Sequence, residues 1–133
     1  MQDGCNSADV SRWTCPAVLR SLAPLRSRVS EAAFRHGYDR DDVGLAITEA
    51  VTNVIRHAYP PEHPGPVEVT VDARRERLLL IVEDHGVGRD GFRPRSDLRH
   101  GGMGLRLIHA LAESASVVTS PTGTRVEMTF RRL

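Results

Sequence analysis

The 133-residue sequence predicts an α+β two-layer sandwich, with a mixed, largely antiparallel sheet covered on one face by about three helices. Apolar residues recur near helical spacing in three segments and alternate with period two in others. The strand-like segments also come as adjacent pairs joined by short turns, which makes neighbouring strands antiparallel. A chain of this length is large enough to bury one core and too short for two ordinary ones.

The elements follow in order. Residues 1–15 have weak periodicity and are expected to form a tail or a short edge strand, with one domain over 16–133. PAVLRSLAPLRSRVSEAAFRHG places Val18, Leu19, Leu22, Leu25, Val29, Ala33 and Phe34 near helical spacing, with Gly37 as its stop and a bend expected at Pro24. Asp39 or Asp41 suits the N-cap of a second helix, DDVGLAITEAVTNVIRHAY, which ends before Pro60-Pro61. PPEHPGP reads as a loop. PVEVTVDA alternates Val67, Val69 and Val71, and RLLLIVED follows after a charged turn at Arg74 and Arg75, so the two form a hairpin whose second strand is expected to be buried on both faces. From Asp84 to about His100 no period holds, and a stretch of that length inside a compact domain is usually a lid or binding loop. GLRLIHALAE resumes as a helix. ASVVTS and TRVEMTF, joined by PTG, close the chain as two strands with Val126, Met128 and Phe130 on one face.

Composition removes several function classes. Apolar content of 40% with 26% charged residues is that of a globular chain, and no apolar run approaches the roughly 20 residues that span a bilayer. MQDGCNSADVSRW lacks the basic-then-apolar pattern of a signal peptide, so a cytoplasmic location without membrane attachment is expected. A net charge of +1 lacks the electrostatic footprint of a nucleic-acid-binding domain. Cys5 and Cys15 have no metal-site spacing and read as free thiols, and His36, His63, His85, His100 and His109 show no metal spacing either. All 18 basic residues are arginine. Without lysine there is no P-loop, no strand lysine of a eukaryotic-type protein kinase, and no Schiff base.

GVGRDG, residues 86–91, satisfies the G-x-G-x-x-G spacing of a dinucleotide-binding turn. The context is wrong, because the third glycine runs into FRPRSD instead of opening a helix and no βαβ unit surrounds it. A glycine-rich turn without a ligand is the bland alternative. Other residues shift the balance. On the second helix, Val43, Ile47, Ala50, Val51, Val54, Ile55 and Ala58 fall in one arc, with Glu49, Thr52, Asn53, Arg56 and His57 opposite. Glu49 and Asn53, one turn apart, form either a solvated face or the carboxylate and amide oxygen that suit a proton acceptor and a magnesium ion beside a polyphosphate. GGMGL, residues 101–105, lies where a helix begins, so its free backbone N–H groups suit phosphate oxygens without any lysine. TGTRVEMTF places Gly123 and Thr124 at the start of the last strand.

Together, Glu49-Ala-Val-Thr-Asn53, Asp84-His-Gly86-Val-Gly88, Gly102-Met-Gly104-Leu105 and Gly123-Thr124 resemble the N, G1, G2 and terminal boxes of the GHKL, or Bergerat-fold, ATP-binding superfamily. The resemblance extends from about residue 17 to the end. LAITEAVTNVIRHAY and GMGLRLIHALAE are most similar to the compact bacterial anti-sigma-factor serine/threonine kinases. It implies that Asn53 holds the Mg²⁺ bridging the phosphates of ATP and that Glu49 is the general base. It implies that Asp84 accepts a hydrogen bond from the adenine amino group, with Gly86 and Gly88 in the turn beside the base and Thr124 supporting the same edge. Gly101, Gly102, Met103, Gly104 and Leu105 would then hold the phosphates under the lid. His57 is expected to be structural, and Arg99 and Arg106 are either phosphate-neutralising or ordinary surface charges. A carboxylate accepts only, so ATP is expected over GTP.

The superfamily alone does not settle the activity. The helical dimerisation segment of a sensor histidine kinase does not fit in these 133 residues, and a stand-alone serine/threonine kinase is expected. Its implied partners are a sigma factor and an anti-anti-sigma protein of the STAS type, which it would phosphorylate. The alternative is a nucleotide-responsive module that sequesters a partner with little or no phosphotransfer. Glu49 favours the kinase, since a pure binder has less need of a base. The first helix offers either core or part of a partner or homodimer surface.

Overall fold

The structure, a computed structural model, describes residues 9–86 and 103–133, with the backbone alone for residues 103–105. Five strands, β1 (Val10–Pro16), β2 (Pro66–Ala73), β3 (Arg77–Asp84), β4 (Ser114–Ser120) and β5 (Gly123–Arg131), form a sheet in the order β1-β2-β3-β5-β4. Every strand pairing among the described residues is antiparallel. Helices α1 (Leu22–Arg35), α2 (Arg40–His57) and α3 (Met103–Leu111) form the second layer, in which α2 packs against both of the others. β1 is an edge strand, and it crosses residue 15 to pair fully with β2.

Strand alternation sets the core. Val67, Val69 and Val71 on β2, Leu78, Leu80 and Val82 on β3, and Val126, Met128 and Phe130 on β5 share the helix-facing side in register. They meet Val43, Ala46, Ile47, Ala50, Val51 and Val54 of α2 and Leu25, Val29, Ala32 and Ala33 of α1 in one hydrophobic cluster. The opposite face carries Arg12, Glu68, Thr70, Glu83, Arg125 and Glu127, and no helix lies over it among the described residues. The expectation that β3 is buried on both faces is therefore only half met. Leu79 is partly exposed, and Ile81 is buried on the open face by its strand neighbours, which include Thr70 and Glu127 in register.

The helix ends follow local chemistry. Pro24 produces no bend, because it lies in the first turn of α1, where its missing N–H has no intrahelical acceptor to lose. A single 3₁₀ turn, Leu19–Ser21, leads into that helix. At its other end Gly37 takes φ +90°, while the Tyr38 N–H donates to Ala33 O at 3.0 Å and the Gly37 N–H to Phe34 O at 3.1 Å. That pair of hydrogen bonds is the glycine-dependent helix stop. Asp39 caps α2, its carboxylate accepting from the N–H groups of Asp41 and Asp42 at 2.9 and 3.0 Å.

Two side-chain clasps close the end of the sheet where β3 begins. Arg132 donates to Arg75 O at 2.9 Å and to His36 O at 2.7 Å, tying the β2–β3 turn to the α1–α2 turn. Glu113 accepts from Arg77 at 2.8 Å and Arg131 at 2.7 Å. Those hydrogen bonds, from Arg77 first and then Arg131, lower its pKa from 4.5 to about 2. The folded state thus binds the Glu113 proton less readily than the unfolded chain, and the resulting stability is present above pH 4.5 and lost as pH falls through about 2. Glu113→Gln is expected to flatten the acid dependence of thermal unfolding between those limits while leaving its shape near neutrality unchanged; an acid profile identical to wild type would contradict this role.

Candidate functional site

The other end of the sheet carries the convergent polar groups. Asp84, the last residue of β3, stands in register with Val67 of β2 and Thr124 of β5, all on the helix-facing side. Among the described residues, Asp84 at 4% exposure and Thr124 at 5% are the buried polar or charged side chains. Such groups are costly in an apolar layer unless they have partners. Asp84 Oδ1 accepts the Gly86 N–H at 3.0 Å, which bends the chain sharply after the strand. The Thr124 hydroxyl is buried and has no hydrogen-bond partner among the described residues. A buried hydroxyl beside a buried carboxylate, aligned by the strand register, is what the polar edge of a small ligand would satisfy.

The turn after β3 is held against α2. A Cβ on Gly86 would collide with the carbonyl oxygen of Ala58, the residue capping the C-terminus of α2, so only glycine lets these backbones approach. Tyr59, next in the chain, donates its hydroxyl proton to Pro66 O at 2.6 Å, and its hydroxyl oxygen accepts the His85 N–H at 2.9 Å. Tyr59 closes the LAITEAVTNVIRHAY segment, but the sequence alone assigns it no role. Its local cue is an aromatic hydroxyl between the end of a helix and Pro60.

The junction sets where α2 enters the site. Glu49, Asn53 and His57 form one half-buried row at four-residue spacing, on the flank of the buried stripe. The row runs toward Ala58 and the Asp84–Gly86 turn. Asp84, Gly86 and Thr124 are therefore brought together directly, while Asn53 and Glu49 lie about one and a half and two and a half turns back along the helix that abuts them. Gly88, Arg99, Gly101 and Gly102 lie outside the described residues. Met103, Gly104 and Leu105 form the first turn of α3, which begins one residue before Gly104. Arg106 is exposed on that helix.

Two clefts can be weighed by chemistry. One of about 210 Å³ is lined by Asp84, His85, Gly123 and Thr124 with the tip of the β4–β5 hairpin. One of about 310 Å³ lies at the opposite end of the sheet, lined by Asp39, Asp42, Leu111, Glu113 and Phe130. In the larger, Asp39 is occupied in capping α2 and Glu113 in bridging two arginines. The smaller is lined in part by Asp84 and Thr124, the buried polar pair, and is the better ligand site. Glu83, Val118 and Arg125 of the open face also line it; Arg125 donates to Glu127 at 2.6 Å and Glu83 at 3.1 Å, and these partners raise the Arg125 pKa further. Among the described residues no three His, Cys, Asp or Glu side chains group as a metal site. No helix there is long and apolar enough to cross a membrane.

The histidine kinase-like ATPase domain family matches residues 15–130. The serine-protein kinase RsbW of Bacillus velezensis is 33% identical over 92% of this chain and 86% of its own length. The protein of that name from Bacillus subtilis is 31% identical over 93% and 86%, and the anti-sigma F factor of Clostridium novyi is 32% identical over 77% and 81%. The crystal structure of the RsbU and RsbW domains of Rv1364c from Mycobacterium tuberculosis has the same fold, with a TM-score of 0.67 at 22% identity over 92% of this chain, which spans 32% of that one. The chain belongs to the histidine kinase-like ATPase domain family.

Proposed function

We propose that the chain is an ATP-dependent serine/threonine protein kinase that acts as an anti-sigma factor, binding a sigma factor and phosphorylating a STAS-type anti-anti-sigma antagonist. The observation that carries the nucleotide site is the buried pair of Asp84 and the partnerless Thr124 hydroxyl at the end of the sheet. Relatives named serine-protein kinase and anti-sigma factor, matched over most of their length, support the activity and the partners.

Each residue has a role that its chemistry allows. Asp84 accepts from the adenine amino group, and Thr124 satisfies its hydroxyl on the same edge. As the resemblance implies, Gly88 would serve the base, and Gly101, Gly102, Met103, Gly104 and Leu105 would offer backbone N–H groups to the phosphates. Asn53 offers a hard amide oxygen to Mg²⁺, an ion that takes few protein ligands and keeps water and phosphate oxygens. Glu49 takes the proton of the attacking serine hydroxyl. When bound, MgATP supplies the phosphoryl group that passes to that hydroxyl, and MgADP leaves. The chain works in the cytoplasm.

The test is incubation with MgATP and a STAS-type protein encoded beside a sigma factor. Phosphoserine on that protein is the expected result. Tight ATP binding with no transfer to any cognate antagonist would instead establish a nucleotide-responsive binding module.

A further inference from the structure

We propose that Tyr59 is a positioning residue for adenine recognition, its hydroxyl locking the Asp84-His85-Gly86 turn to the end of the helix that carries Glu49 and Asn53. The inference rests on the nucleotide site proposed above and adds the device that holds its two halves in register.

Three contacts converge on one ring. The Tyr59 hydroxyl accepts the His85 N–H at 2.9 Å and donates to Pro66 O at 2.6 Å, so one oxygen joins the residue after β3 to the first residue of β2. The ring lies over Gly65, where any Cβ would strike it, and this fixes its direction. One residue back, Ala58 seats its carbonyl against Gly86. His85 lies between Asp84 and Gly86, whose N–H holds the Asp84 carboxylate. A shift of the His85 amide therefore turns that carboxylate and moves its oxygens relative to α2. Loss of the hydroxyl leaves the His85 N–H and the Pro66 carbonyl to find other partners, while the ring still packs over Gly65.

The arrangement contains its own control. Tyr38 also donates to a main-chain carbonyl, Arg74 O at 2.9 Å, but at the opposite end of the sheet. Tyr38→Phe removes a comparable bond without touching the Asp84 turn.

The experiment titrates wild type, Tyr59→Phe and Tyr38→Phe with MgATP and with magnesium purine riboside triphosphate, which lacks the 6-amino group, alongside thermal melts. Tyr59→Phe is expected to weaken ATP about tenfold and to weaken the amino-free analogue much less, so the preference between them collapses. Tyr38→Phe is expected to lower the melting temperature and keep that preference. If Tyr59→Phe folds and retains the wild-type ratio, or if Tyr38→Phe loses the ratio equally, Tyr59 is merely structural. Wild type that binds ATP no better than the analogue overturns the nucleotide reading itself, and this proposal with it.

Discussion

Asp84→Asn is expected to weaken MgATP binding by roughly 100-fold or more while the fold persists. The substitution is nearly isosteric, and the Asn amide oxygen can still accept the Gly86 N–H that Asp84 Oδ1 accepts now at 3.0 Å. What changes is the other side of the group, where an NH₂ donor replaces a carboxylate oxygen. At a position only 4% exposed, an NH₂ facing the adenine amino group sets donor against donor with little water to relieve either. Calorimetric titration with MgATP and a thermal melt on one preparation check this. Affinity within threefold of wild type in a folded protein would mean that Asp84 is a structural turn residue.

Glu49→Gln is expected to reduce phosphotransfer to the antagonist by about 10²- to 10⁴-fold, the usual contribution of a positioned general base. Glu49 is half-buried on α2, four residues before Asn53 and nine before the Ala58 contact with Gly86, so removal of its charge leaves the adenine side of the site intact. MgATP affinity is expected to stay within a few-fold of wild type. Single-turnover transfer and equilibrium titration together separate the two effects. Equal loss of binding and transfer would place Glu49 among the ligand-holding residues, and full transfer in the variant would remove it from the chemistry.

Apart from β1, whose periodicity is weak, the secondary elements were legible because each has a period or a punctuation mark. β2 reads as Val67-x-Val69-x-Val71, and α1 stops at Gly37, whose positive φ is the reason for a glycine there. Pro24 was misread as a bend because the sequence does not say which turn of a helix a proline occupies. β3 looked buried on both sides since LLLIV is continuous, yet among the described residues Ile81 is covered by strand neighbours and not by a second layer. Asp84 and Thr124 lie 40 positions apart in sequence, and only strand register makes them adjacent. Gly86 belongs to a motif, but its packing against Ala58 is tertiary and invisible in the sequence. Tyr59 was missed for the same reason: both of its main-chain partners come from other elements.

The most direct test of the nucleotide site is parallel calorimetric titration of the wild-type chain with MgATP and MgGTP. An acceptor-only carboxylate beside a buried threonine hydroxyl is expected to bind ATP at one site per chain and GTP at least about tenfold more weakly, because guanine presents a carbonyl where adenine presents its amino group. Equal affinity for the two nucleotides, or no binding of ATP, would contradict the account.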